Sequence, residues 1–224
     1  MLPWKRLDAD QAPDGEVISL HQRGEEFLIR AGGRDLMSSR DDASSRALAT
    51  LGCAALPQRD AVRVLVGGLG LGYTLRAALD AVGDGAEVHV AELAPCVVRW
   101  NRGPLAHLAG RPLEDRRVSV HEGDVRQVIS RGPWDAILLD VDNGPDPLTH
   151  DNNEALYSRR GVEQAYRALS PHGVVGVWSF SDDPGFTRRL QRQGFEAHVE
   201  RVSASRTGRG RYHYIWVARR PSRV

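Results

Sequence analysis

Hydrophobic and polar positions change rhythm about a quarter of the way along the chain. From Glu16 to Met37, apolar Val17, Ile18, Leu20, Phe27, Ile29 and Leu36 are separated by polar residues, with breaks at Arg23-Gly24-Glu25 and Gly32-Gly33. Alternation punctuated by glycine turns predicts a small antiparallel β-ribbon. Apolar spacing then lengthens to three and four residues at Ala47, Leu48, Leu51 and Ala55, which predicts a helix capped by Ser44 or Ser45 and stopped before Pro57. Residues 1–56 therefore read as a ribbon-and-helix appendage and residues 57–224 as the main domain.

From Ala61 onward, short β-branched runs alternate with helical stretches. Strands are expected at Val62–Val66, Glu87–Ala91, Val118–Val120, Ala136–Leu139 and Val174–Trp178. Between them fall helical patterns at Thr74–Val82, Cys96–Ala109 (broken), Val125–Ser130 and around Val162, Ala165, Tyr166 and Leu169, with another at Phe186–Gln193 after the fifth strand. Regular strand–helix alternation implies a doubly wound, mostly parallel α/β sheet covered by helices on both faces. Two last strands, around His198–Val202 and Tyr212–Val217, have no helix between them and should close the seven-stranded sheet as an antiparallel edge hairpin with Ser205–Gly210 at its tip.

Composition narrows the class. The chain has 224 residues, 41% hydrophobic and 26% charged, which is the balance of a folded globular protein rather than a disordered or fibrous one. A net charge of +1 provides no global field for nucleic acid, although Lys5 is the only lysine and arginine supplies the remaining basic residues. Cys53 and Cys96 form no ligand spacing, and the eight histidines include no His-x-His or His-x-x-x-His pair, so no protein-built metal site is expected. No apolar run approaches the roughly 20 residues of a membrane span. Residues 1–15 lack the apolar core of a secretory signal, which leads to an expected cytoplasmic location.

Chemistry is suggested first by Gly67-Gly68-Leu69-Gly70-Leu71-Gly72-Tyr73-Thr74, which follows a strand and opens a helix. Glycines in that context let backbone N–H groups approach a ligand. A P-loop would need lysine where Tyr73 stands, and a dinucleotide fingerprint beginning at Gly68 would need glycine there. Gly68-x-Gly70-x-Gly72 instead suits a turn that holds an adenosyl sulfonium nucleoside, which has no pyrophosphate. Glu92 ends the next strand, where a carboxylate can accept both ribose hydroxyls, and Asp124 ends the third, where an acid can accept from an adenine amino group. Gly67, Gly68, Gly70, Gly72, Glu92 and Asp124 are thus the expected nucleoside-binding residues.

The fourth strand runs into Asp140-Val141-Asp142-Asn143-Gly144-Pro145. A sulfonium is already an excellent leaving group, so an enzyme mainly needs to align an acceptor and take its proton. Asp142 is favoured as that catalytic group. Asp140 is the alternative catalytic acid, or a ligand-side one that joins the nucleoside set.

These residues together resemble the spermidine synthase family, which has the class I S-adenosylmethionine-dependent methyltransferase fold. The resemblance runs through the N-terminal ribbon, Asp35-Leu36-Met37-Ser38-Ser39, the glycine loop, Glu92, Gly123-Asp124 and Trp134–Asp140 leading to Gly144-Pro145. It implies a small-molecule acceptor, an amine in the family, a homodimer, and either S-adenosylmethionine or its decarboxylated form as co-substrate. Two departures bear on the substrate. Leu69 and Gly70 stand where the family keeps an acid that holds the aminopropyl end, and Ser44-Ser45-Arg46 replaces the family's Tyr-His-Glu of the polyamine pocket. Loss of the loop acid removes a repulsion against the S-adenosylmethionine carboxylate, which puts methyl transfer slightly ahead of aminopropyl transfer. A non-catalytic nucleoside- or RNA-binding protein using arginines 201, 206, 209, 211, 219, 220 and 223 is the alternative from another class.

Overall fold

The computed structural model describes residues 2–13, 15–56, 61–141, 145, 155–205, 208 and 210–222. Its first element is a four-stranded antiparallel sheet of β1 (Lys5–Gln11), β2 (Val17–Arg23), β3 (Glu26–Ala31) and β4 (Arg34–Ser38), in that spatial order. The glycine turns fall where the sequence places them, with Gly24, Gly32 and Gly33 all at positive φ. Strand β1 is an addition to the expected ribbon. Its only apolar residues are Leu7 and Ala9, so it carries little periodic signal. It is held instead by its ladder to β2 and by Asp8, which accepts from Trp100 Nε1 at 2.7 Å and Arg99 at 3.1 Å.

Helix α1 (Ala43–Ala54) follows. Its N-cap is Asp42 rather than Ser44 or Ser45, which lie inside the first turn. The two serines face other elements, Ser44 bonding His213 and Trp178 while the side chain of Ser45 reaches Asp140. Pro57 lies outside the described residues.

The second sheet contains β5 (Arg63–Gly67), β6 (Glu87–Glu92), β7 (Val118–Glu122), β8 (Trp134–Leu139), β9 (Leu169–Ser179), β10 (Glu196–Ser203) and β11 (Tyr212–Arg219), in the order β10-β11-β9-β8-β5-β6-β7. The five strands from β9 to β7 pair in parallel, and β11 and β10 close the edge antiparallel. Intervening helices are α2 (Tyr73–Ala81), α3 (Pro95–Arg102), α4 (Val125–Ile129), α5 (Arg159–Ala168) and α6 (Pro184–Gln193). The expected break in the third helical stretch falls at Gly103, after which the chain turns as far as Gly110.

Successive residues of a strand face opposite sides of a sheet, and the core divides accordingly. Val64, Val66, Leu138, Val174, Ile215 and Val217 pack under α1, α2 and α3. Leu65, Ile137, Leu139, Val175, Val177 and Trp216 pack under α4, α5 and α6. Burial on both faces explains why these strands read as continuous apolar runs. Helix α1 lies close on the first face, because a Cβ at Gly52 would collide with Leu138 and one at Gly176 would sit 2.9 Å from Leu48. Among the described residues, no helix is long and apolar enough to cross a membrane.

Adjacent β6 and β7 bring His89 and His121 together, stacked at 5.1 Å with Nδ1 of His89 2.8 Å from Nε2 of His121. Burial lowers both pKa values, helped by His121 and Arg63 for His89 and by Arg131 for His121. A folded-state histidine pKa below its unfolded value means that the unfolded chain binds more protons, so these two rings contribute stability above about pH 6.5 that is lost as pH falls. Glu92 and Asp140, whose values are raised, oppose that loss. Urea unfolding at pH 7.5 and 5 should therefore show a smaller acid-side loss in a His89→Gln/His121→Gln double variant than in the parent. An unchanged difference would mean that the pair does not carry the dependence.

Candidate functional site

The glycine loop leaves β5 at the centre of the sheet, where strand order reverses and ligands of doubly wound proteins bind. Gly68, Gly70 and Gly72 adopt φ of +86°, +50° and +84°. At Gly68 the need for glycine is doubled, since a Cβ would run into the Asp140 carbonyl oxygen. Gly68 N–H donates to Ala91 O at 2.8 Å and Asp140 N–H donates to Gly67 O at 2.8 Å, so the loop is tied to the ends of both neighbouring strands. Asn101 on α3, which sequence reasoning missed, donates from Nδ2 to Gly70 O at 2.8 Å and Val97 O at 2.9 Å. Its signal in the sequence is weak, being a single polar residue on an otherwise apolar helix face.

Glu92 is half-buried at the end of β6. One oxygen accepts from Leu69 N–H at 2.8 Å and the other from Ala94 N–H at 2.9 Å, and Gly70 and Leu93 contribute further backbone hydrogen bonds. Removal from water raises its pKa against the pull of these amides. Asp124 follows β7 and caps α4, accepting from Arg126 N–H at 2.8 Å and pairing with the Arg126 guanidinium. Burial acts to raise its pKa, but the Arg126 bonds outweigh it and the net shift is downward.

Asp140, half-buried after β8, accepts from the Thr74 hydroxyl at the start of α2 and is also hydrogen-bonded by Ser45 of α1. Loss of solvent raises its pKa, with those two bonds acting the other way. Thr74 is only 2% exposed, so these contacts are inside the fold. Asp142, Asn143 and Gly144 lie outside the described residues.

Gly68, Gly70, Glu92, Asp124 and Asp140 line one cavity of about 330 Å³, whose apolar wall includes Ile18 and Ile29 of the N-terminal sheet. Gly67 and Gly72 are not on its wall; they anchor the loop, Gly67 through its carbonyl and Gly72 as the N-cap of α2. A second cavity of about 520 Å³ lies alongside and takes in Trp4, Asp41, Tyr73, Trp178, Phe180 and His213. Both volumes suit small molecules. The cavities share Leu36, Met37, Gly70, Asp140 and Val141. Asp140 is therefore the one charged residue where they meet, among the described residues.

The chain matches no protein-family model and no curated protein sequence. It is similar to solved structures. A spermidine synthase in complex with the transition-state analogue AdoDATO aligns with a TM-score of 0.74 at 17% identity, covering 98% of this chain and 73% of that one. The spermidine synthase from Thermotoga maritima aligns with a TM-score of 0.75 at 18% identity, covering 98% and 74%. The chain therefore has a spermidine synthase-like fold, as its sequence leads one to expect.

Proposed function

We propose that this chain, built on the spermidine synthase-like fold, is a transferase that holds an adenosyl sulfonium nucleoside in the smaller cavity and passes its aminopropyl group to a small amine in the larger one. The observation that carries this reading is Asp140, the lone charge among the described residues at the junction of the two cavities. A nucleoside bound along the glycine loop and Glu92 would bring its sulfonium to that junction. There a carboxylate attracts the cation, orients an incoming amine and accepts its proton as the new C–N bond forms and the C–S bond breaks. A raised carboxyl pKa makes Asp140 a better base for an ammonium proton than an exposed aspartate would be.

The sequence alone ranks methyl transfer slightly ahead, because the loop lacks an acid. Asp140 supplies one from the neighbouring strand, and no basic residue among those shared by the cavities would hold the carboxylate of intact S-adenosylmethionine. This favours the decarboxylated nucleoside. Calorimetry should show it binding about tenfold tighter, some 1.4 kcal/mol. Equal or tighter binding of S-adenosylmethionine would restore methyl transfer. The arginines support a small acceptor over RNA. Arg201 stacks on Tyr212, Arg219 bonds His172, Arg220 bonds the Tyr166 and Leu169 carbonyls, and only Arg211 of the described members borders a cavity. Arg206, Arg209 and Arg223 lie outside the described residues.

A further inference from the structure

The helices on the sheet face opposite α1 carry charge that the proposed transfer does not use. Helices α4, α5 and α6 lie side by side and together contain seven arginines but a single acid, Glu163. The whole chain is only +1, so the rest of it is net acidic and this layer is a local positive field on a nearly neutral molecule. Two of the seven are engaged locally. Arg126 pairs with Asp124, and Arg189 donates to Tyr157 O at 2.9 Å. Arg159, Arg160, Arg188 and Arg192 are exposed and make no ion pair or side-chain hydrogen bond among the described residues. Arg167 is 77% exposed, and its link to Glu163 one turn back is a surface pair that contributes little. Asp124 and Asp183 accept from backbone amides as helix N-caps, and the exposed acids Asp182 and Glu196 lie beyond the two ends of α6 rather than on it.

The chemistry of the layer selects among polyanions. Guanidinium forks match phosphate oxygens. The exposed large apolar side chains of the described chain are Leu2, Val17, Leu93, Phe180 and Tyr212, none of them in these helices. The layer therefore has no wedge for a membrane and no apolar centre for a protein interface. It has no platform for unpaired bases either, because Tyr157 and Phe186 are buried and the Tyr166 ring is covered by Phe195 at 4.9 Å and Arg220 at 5.0 Å. A duplex needs no such platform, since its bases are already stacked and its phosphates are dense and outward. We infer that the α4–α6 layer is a docking surface for double-stranded nucleic acid, held through the phosphate backbone without sequence preference. Arg160 and Arg167, two helical turns or roughly 10 Å apart, border a groove of about 320 Å³ between α5 and the end of α4. Gln164 Nε2–H donates to Arg126 O at 2.8 Å and fixes the two helices there. Of the layer's arginines only Arg126 borders either site cavity, so the inference stands independently of the transferase reading.

The test is fluorescence anisotropy of labelled duplexes of about 20 base pairs, DNA in one arm and RNA in the other, titrated with the full chain at about 50 to 200 mM KCl. With about four arginines engaged, log affinity for at least one duplex should fall against log salt with a slope of about −3.6, roughly 10²-fold across that range. Arg160→Gln/Arg192→Gln should halve the slope and leave about a tenfold change, whereas Arg201→Gln/Arg219→Gln on the edge hairpin should not alter it. Should the first double variant lose its helical circular dichroism, Arg160→Gln and Arg192→Gln alone are each expected to lower the slope by about one. The inference is overturned by absence of salt-dependent duplex binding, by a slope that persists without these arginines or falls in the hairpin variant, or by tighter binding to an oligothymidine strand of equal length or to phosphatidylserine vesicles.

Discussion

Asp140→Asn should lower turnover with the decarboxylated nucleoside by about 10²–10⁴-fold, the usual worth of general-base assistance. The variant keeps the shape of the side chain and an oxygen for Thr74 and Ser45, so its fold should survive. It loses the negative charge and the ability to take a proton. Binding of 5′-methylthioadenosine, which has no sulfonium, should be nearly unchanged. The acid limb of the pH–rate profile should lie above the ordinary aspartate value near 4, because loss of solvent raises the Asp140 pKa. Asp142→Asn is the comparison that decides between the two carboxylates. Full loss in Asp142→Asn with a normal rate in Asp140→Asn would return the catalytic role to Asp142.

Glu92→Ala should weaken 5′-methylthioadenosine binding by about 10–150-fold, or about 1.5–3 kcal/mol. Two effects combine. A ribose would lose its charged acceptor, and the glycine loop would lose the oxygen that fixes Leu69 N–H at 2.8 Å. Glu92→Gln separates them. Its amide oxygen can still accept one backbone bond but cannot match the carboxylate on both sides, so it should fall between the parent and Glu92→Ala. Calorimetry on folded variants, checked by circular dichroism, measures both. Parent-like affinity in Glu92→Ala would remove Glu92 from the ribose site.

Much of the candidate site is legible in the sequence because its parts lie at strand ends. Gly68, Gly70, Glu92, Asp124 and Asp140 follow β5, β6, β7 and β8 in turn, and a parallel sheet brings those ends to one edge. Their hydrogen-bond partners are not legible there. Asp124 is engaged by Arg126 and Glu92 by backbone amides, interactions that depend on how each turn closes after its strand. Strand β1 escapes a reading by periodicity because an edge strand held by ladder bonds and ion pairs needs no apolar alternation. The cap of α1 is misplaced for a related reason. Serines near a helix start usually serve the helix, but here tertiary partners take them.

What the sequence by itself determined is the layered architecture and which residues follow the central parallel strands, because two- and 3.6-residue periodicities are local and record which face of each element must leave water. The tertiary structure alone decided where the larger cavity lies and what surrounds its groups. Ser44 and His213 are 169 positions apart and Thr74 and Asp140 are 66 apart, yet each pair shares a hydrogen bond. No local pattern encodes such a meeting. It arises when α1 settles on the sheet through the close approaches at Gly52 and Gly176, and the edge strand β11 sets His213 beside the helix's first turn.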